Sequence, residues 1–394
     1  ISTEAFTMQR IASIAAMVDQ HASDAAFLWF RRRREIDGPI LGETDIGRID
    51  QRLNANLEGL MASGKAGWEA AQAHFADYAE PGELFVLGVL ALRWGEAEAV
   101  ASAVDAAATL GEVGVSGLSG AIARTPRENL SPLVAEWLDA RDARLRGLGL
   151  AALWHHRVDP GARLGDLLSN PDPDVRRRAF RLAGGLKRRD LLPAVLDGLD
   201  GDTSRERLTA ALAACLLGET RSANPVLDRI VLAEPDLAAA AIELRLLTTP
   251  LKTGKAWLQE RLKQPALRAT ATAAIGLFGD RSVMPWLIAK MREPDLVFAA
   301  GLALRDLFEV DFNDFDLFTT DPSLLGKDFE SLNETPLPVA DRVAEWWDEG
   351  RGGRNHALFH SMRRLRLDAL RAALAEPDAP LTDWRRTRRF PAWM

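Results

Sequence analysis

His356 and His360 are the one histidine pair whose spacing would set both imidazoles on one helical face, as in zinc proteases. Those enzymes need a glutamate directly after the first histidine, and Ala357 stands there. The acidic stretch DFNDFD, with Asp311, Asp314 and Asp316, has the carboxylates of a calcium loop. It lacks the central glycine and the distal glutamate that such loops require. The glycine run GEVGVSGLSGA, residues 111–121, has neither the order nor the Gly-Lys-Ser/Thr ending that cradles phosphates, and neither of its serines sits in a G-x-S-x-G elbow. In TGKAW, from Thr253, Ala256 occupies the place where magnesium binding needs a hydroxyl. Cys215, the single cysteine, lies in the apolar run ALAACLLGE and reads as a small core residue. No catalytic constellation emerges, so a non-enzymatic chain without metal or cofactor is expected.

What remains is recognition. Ala194, Val226, Trp257 and Trp286 fall at one equivalent position in four short helical segments, and Asp197, Arg229 and Glu260 stand three residues further on in their own segments. Tryptophan beside mixed charge is the composition that protein interfaces favour. Trp257, Trp286, Asp197, Arg229 and Glu260 are therefore the candidate partner-binding residues, with packing of both tryptophans between helices as the competing reading.

The elements that must position these residues are helices. The chain has 394 residues, 47% of them hydrophobic and 27% charged, and its Ala, Leu, Arg and Glu content favours helix, while alternating Val/Ile/Thr runs are nearly absent. A net charge of -7 argues against a chain built to coat phosphate backbones. No apolar run is long enough for a membrane helix, and the N-terminal stretch lacks a basic segment followed by an apolar one. With its lone cysteine, the chain is expected in the cytoplasm, with no membrane partner.

A period organises the middle of the chain. NPDPDVRRRAFRLAGGL, EPDLAAAAIELRLL, QPALRATATAAIGLFGD and EPDLVFAAGLALRDL share a polar residue, a proline and an Ala/Leu helix, and Pro173, Pro235, Pro265 and Pro294 recur about every 30 residues, the first gap counting as two units. Weaker copies begin at Asp142 and Thr203. Proline suits the first helical turn and a neighbouring Asp or Ser can cap it; each first helix is followed by a second, such as DLLPAVLDGL or MPWLIAKM. Helix pairs of this size bury their apolar stripes only by stacking on neighbours. In the clearest unit, Val175, Ala179, Leu182, Ala183 and Leu186 form one apolar face, which predicts that Arg177, Arg178 and Arg181 point to solvent.

The pattern DPDVRRRA followed by LLPAVLDGL resembles HEAT repeats over roughly residues 80 to 310, most closely at 171 to 200. The resemblance implies an all-α, HEAT-like α-solenoid of stacked antiparallel helix pairs, with the first helices convex and the second helices lining a concave side. It also implies that Arg176 pairs with an acid of a neighbouring unit, Asp172 or Asp142. The expected divisions are a helical cap over 1–80, the array over 81–310, and an acidic loop with a helical cap over 311–394. In the N-terminal cap, Phe27, Leu28, Trp29 and Phe30 form an aromatic cluster expected to be covered. Residues 306–350 hold thirteen acids against Lys327 and Arg342, and the last 44 residues hold ten arginines against four acids, so loop and tail are expected to pair.

HASDAAFLWFRRR, RIDQRLNANLEGLMASGKAGWEAA and LPVADRVAEWW, together with this middle, resemble a proteobacterial HEAT-repeat family of unassigned function, often encoded near type VI secretion genes. That resemblance implies a scaffold that binds another protein, a secretion effector or toxin, as an immunity protein or adaptor. The alternative is a DNA-binding HEAT-like glycosylase or repair protein. Asp197 and Glu260 in the inferred groove oppose it, and nucleic acid is not the expected partner.

Overall fold

A computed structural model describes residues 14–36, 40–41, 43–278, 280–308, 310–329 and 335–350. Among them lie nineteen α-helices and one two-stranded ribbon, so the fold is all-α and built from packed helix pairs in the manner of a solenoid. No described helix is long and apolar enough to cross a membrane. The chain forms two compact units, Ile1–Ile36 with Leu41–Val158, and Asp37–Ile40 with Asp159–Met394.

The first unit holds α1 (Ala15–Glu35), α2 (Glu43–Ala62), α3 (Lys65–Tyr78), α4 (Pro81–Trp94), α5 (Ala97–Thr109), α6 (Glu112–Arg124), α7 (Arg127–Asp139) and α8 (Ala143–His156). Helices α4, α6 and α8 pack in succession, and α1 packs against α2, α3 and α4. The glycine run lies on α6 and serves close packing. A Cβ on Gly117 would fall 2.5 Å from the Pro81 carbonyl oxygen, and one on Gly120 would fall 2.7 Å from Trp29 Nε1. Trp29 in turn stacks on Phe85, with ring centroids 4.9 Å apart. The aromatic cluster of α1 is only half covered, contrary to expectation. Leu28 and Trp29 are buried, but Phe27 and Phe30 are 60% and 49% exposed, because the helical turn sends them to the other side of α1.

The second unit holds α9 (Arg163–Leu168), α10 (Pro173–Gly185), α11 (Leu192–Asp197), α12 (Ser204–Leu216), α13 (Thr220–Ala233), α14 (Pro235–Leu247), α15 (Leu251–Leu262), α16 (Arg268–Ala274), α17 (Met284–Lys290), α18 (Val297–Phe308) and α19 (Ala340–Asp348). Helices α10, α12, α14, α16 and α18 follow one another as the first helices of the repeat, and α11, α13, α15 and α17 return between them. Pro173 and Pro235 open their helices as predicted, Pro265 opens a single 3-10 turn, and Pro294 lies in a turn ahead of α18. Asp172 caps α10 by accepting from the amides of Asp174 (2.9 Å) and Val175 (3.1 Å), and Thr203 caps α12 through the Glu206 amide at 3.1 Å. Every residue of α12 from Leu208 to Leu216 is buried, since a first helix inside the stack has neighbours on all sides.

The arginines of α10 are not a solvated face. Arg177, Arg178 and Arg181 are half-buried, and desolvation pushes the Arg178 guanidinium down to about 10. Arg176 does make an inter-unit pair, but forward in sequence. Its Nε donates to Glu206 at 2.5 Å and its Nη2 to Asp202 at 2.6 Å, while Asp172 and Asp142 are engaged as caps of α10 and α8. The Arg176 side chain also reaches back to the Asn170 carbonyl at 2.8 Å. Arg146 and Arg207 do the same to the carbonyls of Ala140 (2.6 Å) and Gly201 (2.8 Å), so an arginine four residues after the cap recurs as a clasp on the incoming chain.

Past α18 the acidic segment is an ordered loop of turns that carries a short ribbon. Phe318–Thr319 pairs antiparallel with Leu337–Pro338, and Phe312, Leu317 and Phe318 are buried against α18 and α19. The acids shape turns: Asp311, Asp314 and Asp321 accept from the amides of Asn313, Asp316 and Ser323 at 2.9, 3.1 and 2.9 Å. No group of three or more His, Cys, Asp or Glu is placed to hold a metal ion among the described residues. The basic tail and its expected pairing with this segment lie outside the described residues.

Glu206 is 1% exposed, so its removal strands Arg176 and the Asp202 amide that it also accepts at 3.1 Å. Glu206→Gln should cost about 3–5 kcal/mol in urea unfolding, and Arg176→Met combined with Glu206→Leu should cost less than either single change.

Candidate protein-interaction face

The second helices of the second unit begin at fixed points, and α11 and α17 are short. Pro193 and Pro285 occupy the first turns of α11 and α17, Pro250 precedes α15, and the Glu219 carboxylate caps α13 through the Ser222 amide at 2.9 Å. Asp280 holds the turn that leads into α17, accepting from the Ser282 amide at 3.0 Å.

On these helices the equivalent positions diverge. Val226 is buried, Ala194 and Trp257 are half-buried, and Trp286 is 37% exposed. Asp197, Arg229 and Glu260 are all exposed. No hydrogen bond, ion pair or ring contact joins any two of Trp257, Trp286, Asp197, Arg229 and Glu260 among the described residues. Arg229 instead stands 4.0 Å from Asp200, and Glu260 pairs with Lys263 at 2.7 Å, both well exposed contacts of little energetic weight.

The structured part of this face is centred on Trp257. Its Nε1 donates to Asp228 Oδ1 on α13 at 2.9 Å, and the same oxygen accepts from Arg245 Nε on α14 at 3.1 Å. Arg245 Nη1 also donates to Thr249 Oγ1. Two guanidinium groups lie over the Trp257 ring, Arg261 with its central carbon 4.1 Å from the centroid and Arg245 at 5.5 Å. Arg261 is half-buried with its Nε enclosed and without a hydrogen-bond partner. Trp286 repeats part of this design, with Lys290 Nζ 5.5 Å from its ring, but that lysine is paired with Glu293 at 2.6 Å.

Asp228, Arg245, Arg261 and Lys290 are absent from the residues singled out by sequence. Two of them had a signal: WLQER and WLIAK both place a cation four residues after the tryptophan, one helical turn away on the same face. Asp228 and Arg245 had none, because they reach Trp257 from other helices.

Groups with potential for chemistry are otherwise engaged or enclosed. Cys215 is 1% exposed and burial pushes its thiol up to about 12. His21 bonds to Asn56 and His74 to Asp19, each at 2.8 Å, and His155 Nε2 lies 3.4 Å from Ser119 Oγ. His356 and His360 lie outside the described residues. Lys255, of the Gly-Lys dipeptide, lies inside α15 and donates to Asp280 at 2.5 Å. That hydrogen bond, aided by Ser282, holds the Asp280 carboxyl down at about 2.

The two tryptophans should respond differently to truncation. Trp257→Ala loses a charge-assisted hydrogen bond and two cation–π stacks and should cost about 2–4 kcal/mol, whereas Trp286→Ala should cost under about 1 kcal/mol in the same denaturation assay. Because the Asp280 pKa is depressed on folding, its pair contributes stability above the ordinary carboxylate value and loses it as pH falls towards 2. The stability gap between the wild type and Asp280→Asn, measured in urea, should therefore close between about pH 5 and pH 2.

No protein-family model, curated protein or solved structure matches the chain, and the reading of this face rests on its own side chains.

Proposed function

We propose that the chain is a non-enzymatic scaffold that binds another protein through the second helices of its second unit. The observation that carries this reading is the pair of tryptophan–cation stacks on α15 and α17, one with its ring 37% exposed and one with an arginine that no described acid answers. Tryptophan and arginine are the residues most enriched among interface hot spots, and short mixed charges such as Asp197, Arg229 and Glu260 suit the rim around them. The sequence resemblance to HEAT-repeat proteins encoded near type VI secretion genes supplies the partner class. The partner is a secretion effector or toxin, and the scaffold acts in the cytoplasm as its immunity protein or adaptor.

Duplex DNA is the competing ligand. A duplex needs a row of available cations, whereas Arg229, Arg245 and Lys290 of this face are paired with Asp200, Asp228 and Glu293.

The test is binding to the effector candidate encoded beside the chain. Trp286→Ala should weaken that complex by about tenfold or more while the melting temperature stays near the wild-type value. Unchanged affinity in Trp286→Ala would move the contact elsewhere. Tight duplex binding with a steep salt dependence would replace the scaffold reading with the nucleic-acid one.

A further inference from the structure

We propose that Arg261, stacked on Trp257, is a carboxylate receptor, and that the partner docks an acidic segment there. The inference rests on the scaffold reading and names the chemistry of its partner.

Three observations converge on it. First, the charges around the ring are unequal. Asp228 is shared between Arg245 and Trp257 Nε1, so that carboxylate is committed, while Arg261 has no hydrogen bond or ion pair among the described residues. Its neighbour Glu260 is taken by Lys263 at 2.7 Å.

Second, the guanidinium is already oriented. With its carbon 4.1 Å from the ring centroid, Arg261 has lost much of the freedom a surface arginine keeps, and with its Nε enclosed the two Nη groups are the donors left to meet a ligand end-on. A planar donor fork held in place matches a carboxylate by two parallel hydrogen bonds, which a lysine cannot reproduce.

Third, the neighbouring helix offers a contrast. Lys290 stands over Trp286 at the same four-residue spacing, but Glu293 already neutralises it at 2.6 Å. The only unanswered cation of the two stacks is thus Arg261. An anion arriving here gains a charge-assisted contact without breaking an existing pair.

The probe is a capped hexaglutamate peptide titrated into the full chain carrying ¹⁵N-arginine. The enclosed Arg261 Nε–H exchanges slowly and is followed by NMR, with Arg261→Lys identifying its signal. A saturable shift is expected with hexaglutamate and none with hexaglutamine. Arg261→Gln and Arg261→Lys, each with its folding checked by its melting curve, should each weaken hexaglutamate binding by at least about tenfold, since the lysine keeps the charge but not the fork. The proposal is overturned if the wild-type signal does not move, if Arg261→Lys binds like the wild type, or if inorganic phosphate binds as tightly as hexaglutamate. The wild-type titration decides the matter even where a variant unfolds. Partner binding that depends on Trp286 with no hexaglutamate shift would sink this inference and leave the scaffold standing. A hexaglutamate shift in a chain that binds no effector through this face would support the receptor and sink the scaffold.

Discussion

A carboxylate that is 1% exposed must have its charge answered from within the protein, and at Glu206 the answer comes from the preceding helix pair. Arg176 spans from α10 to Glu206 on α12 and to Asp202 in the turn before it, so one guanidinium fixes the spacing between consecutive first helices. The same side chain clasps the Asn170 carbonyl on its own approach to α10. Burial of the pair is affordable only because both partners are hydrogen-bonded on several sides, and that makes the arrangement specific in register. The second helices return between the members of this stack, and Asp228 on α13 meets Trp257 on α15, 29 residues later.

Much of the architecture was legible in the sequence. Prolines at the starts of α10 and α14, an acid able to cap beside them and the recurrence near 30 residues pointed to paired helices, because these signals are local. The outward face assigned to Arg177, Arg178 and Arg181 failed for a non-local reason. A wheel drawn on one helix assumes one buried side, whereas a helix in the middle of a stack is covered on several, and Arg178 is desolvated accordingly. The direction of the Arg176 pair failed similarly: Asp172 was close in sequence but already engaged by the amides at the start of α10. In the acidic segment, Phe312 and Phe318 proved more informative than the aspartates around them, since burial of those rings ordered the strands while the carboxylates capped turns.

The candidate face was legible in its rings and illegible in its charges. Trp257 and Trp286 were picked out by equivalent positions in successive repeats, and Asp197, Arg229 and Glu260, chosen as partner-binding residues, are exposed. They do not group, because each finds a nearer partner or none, and a shared register along an array does not bring side chains together. Trp257 reaches across neighbouring second helices to Asp228, which Arg245 meets from the first helix between them.

Exposure by itself would rank Trp286 above Trp257 as a recognition site. Charge balance ranks them the other way. An exposed ring beside a neutralised lysine offers apolar contact area without direction. A half-buried ring that orients an unanswered guanidinium offers direction as well, and direction is what distinguishes one acidic partner from another. On the proposed reading the two stacks would have separable roles: α17 would contribute contact area, and α15 the polar contact that fixes how a partner lies.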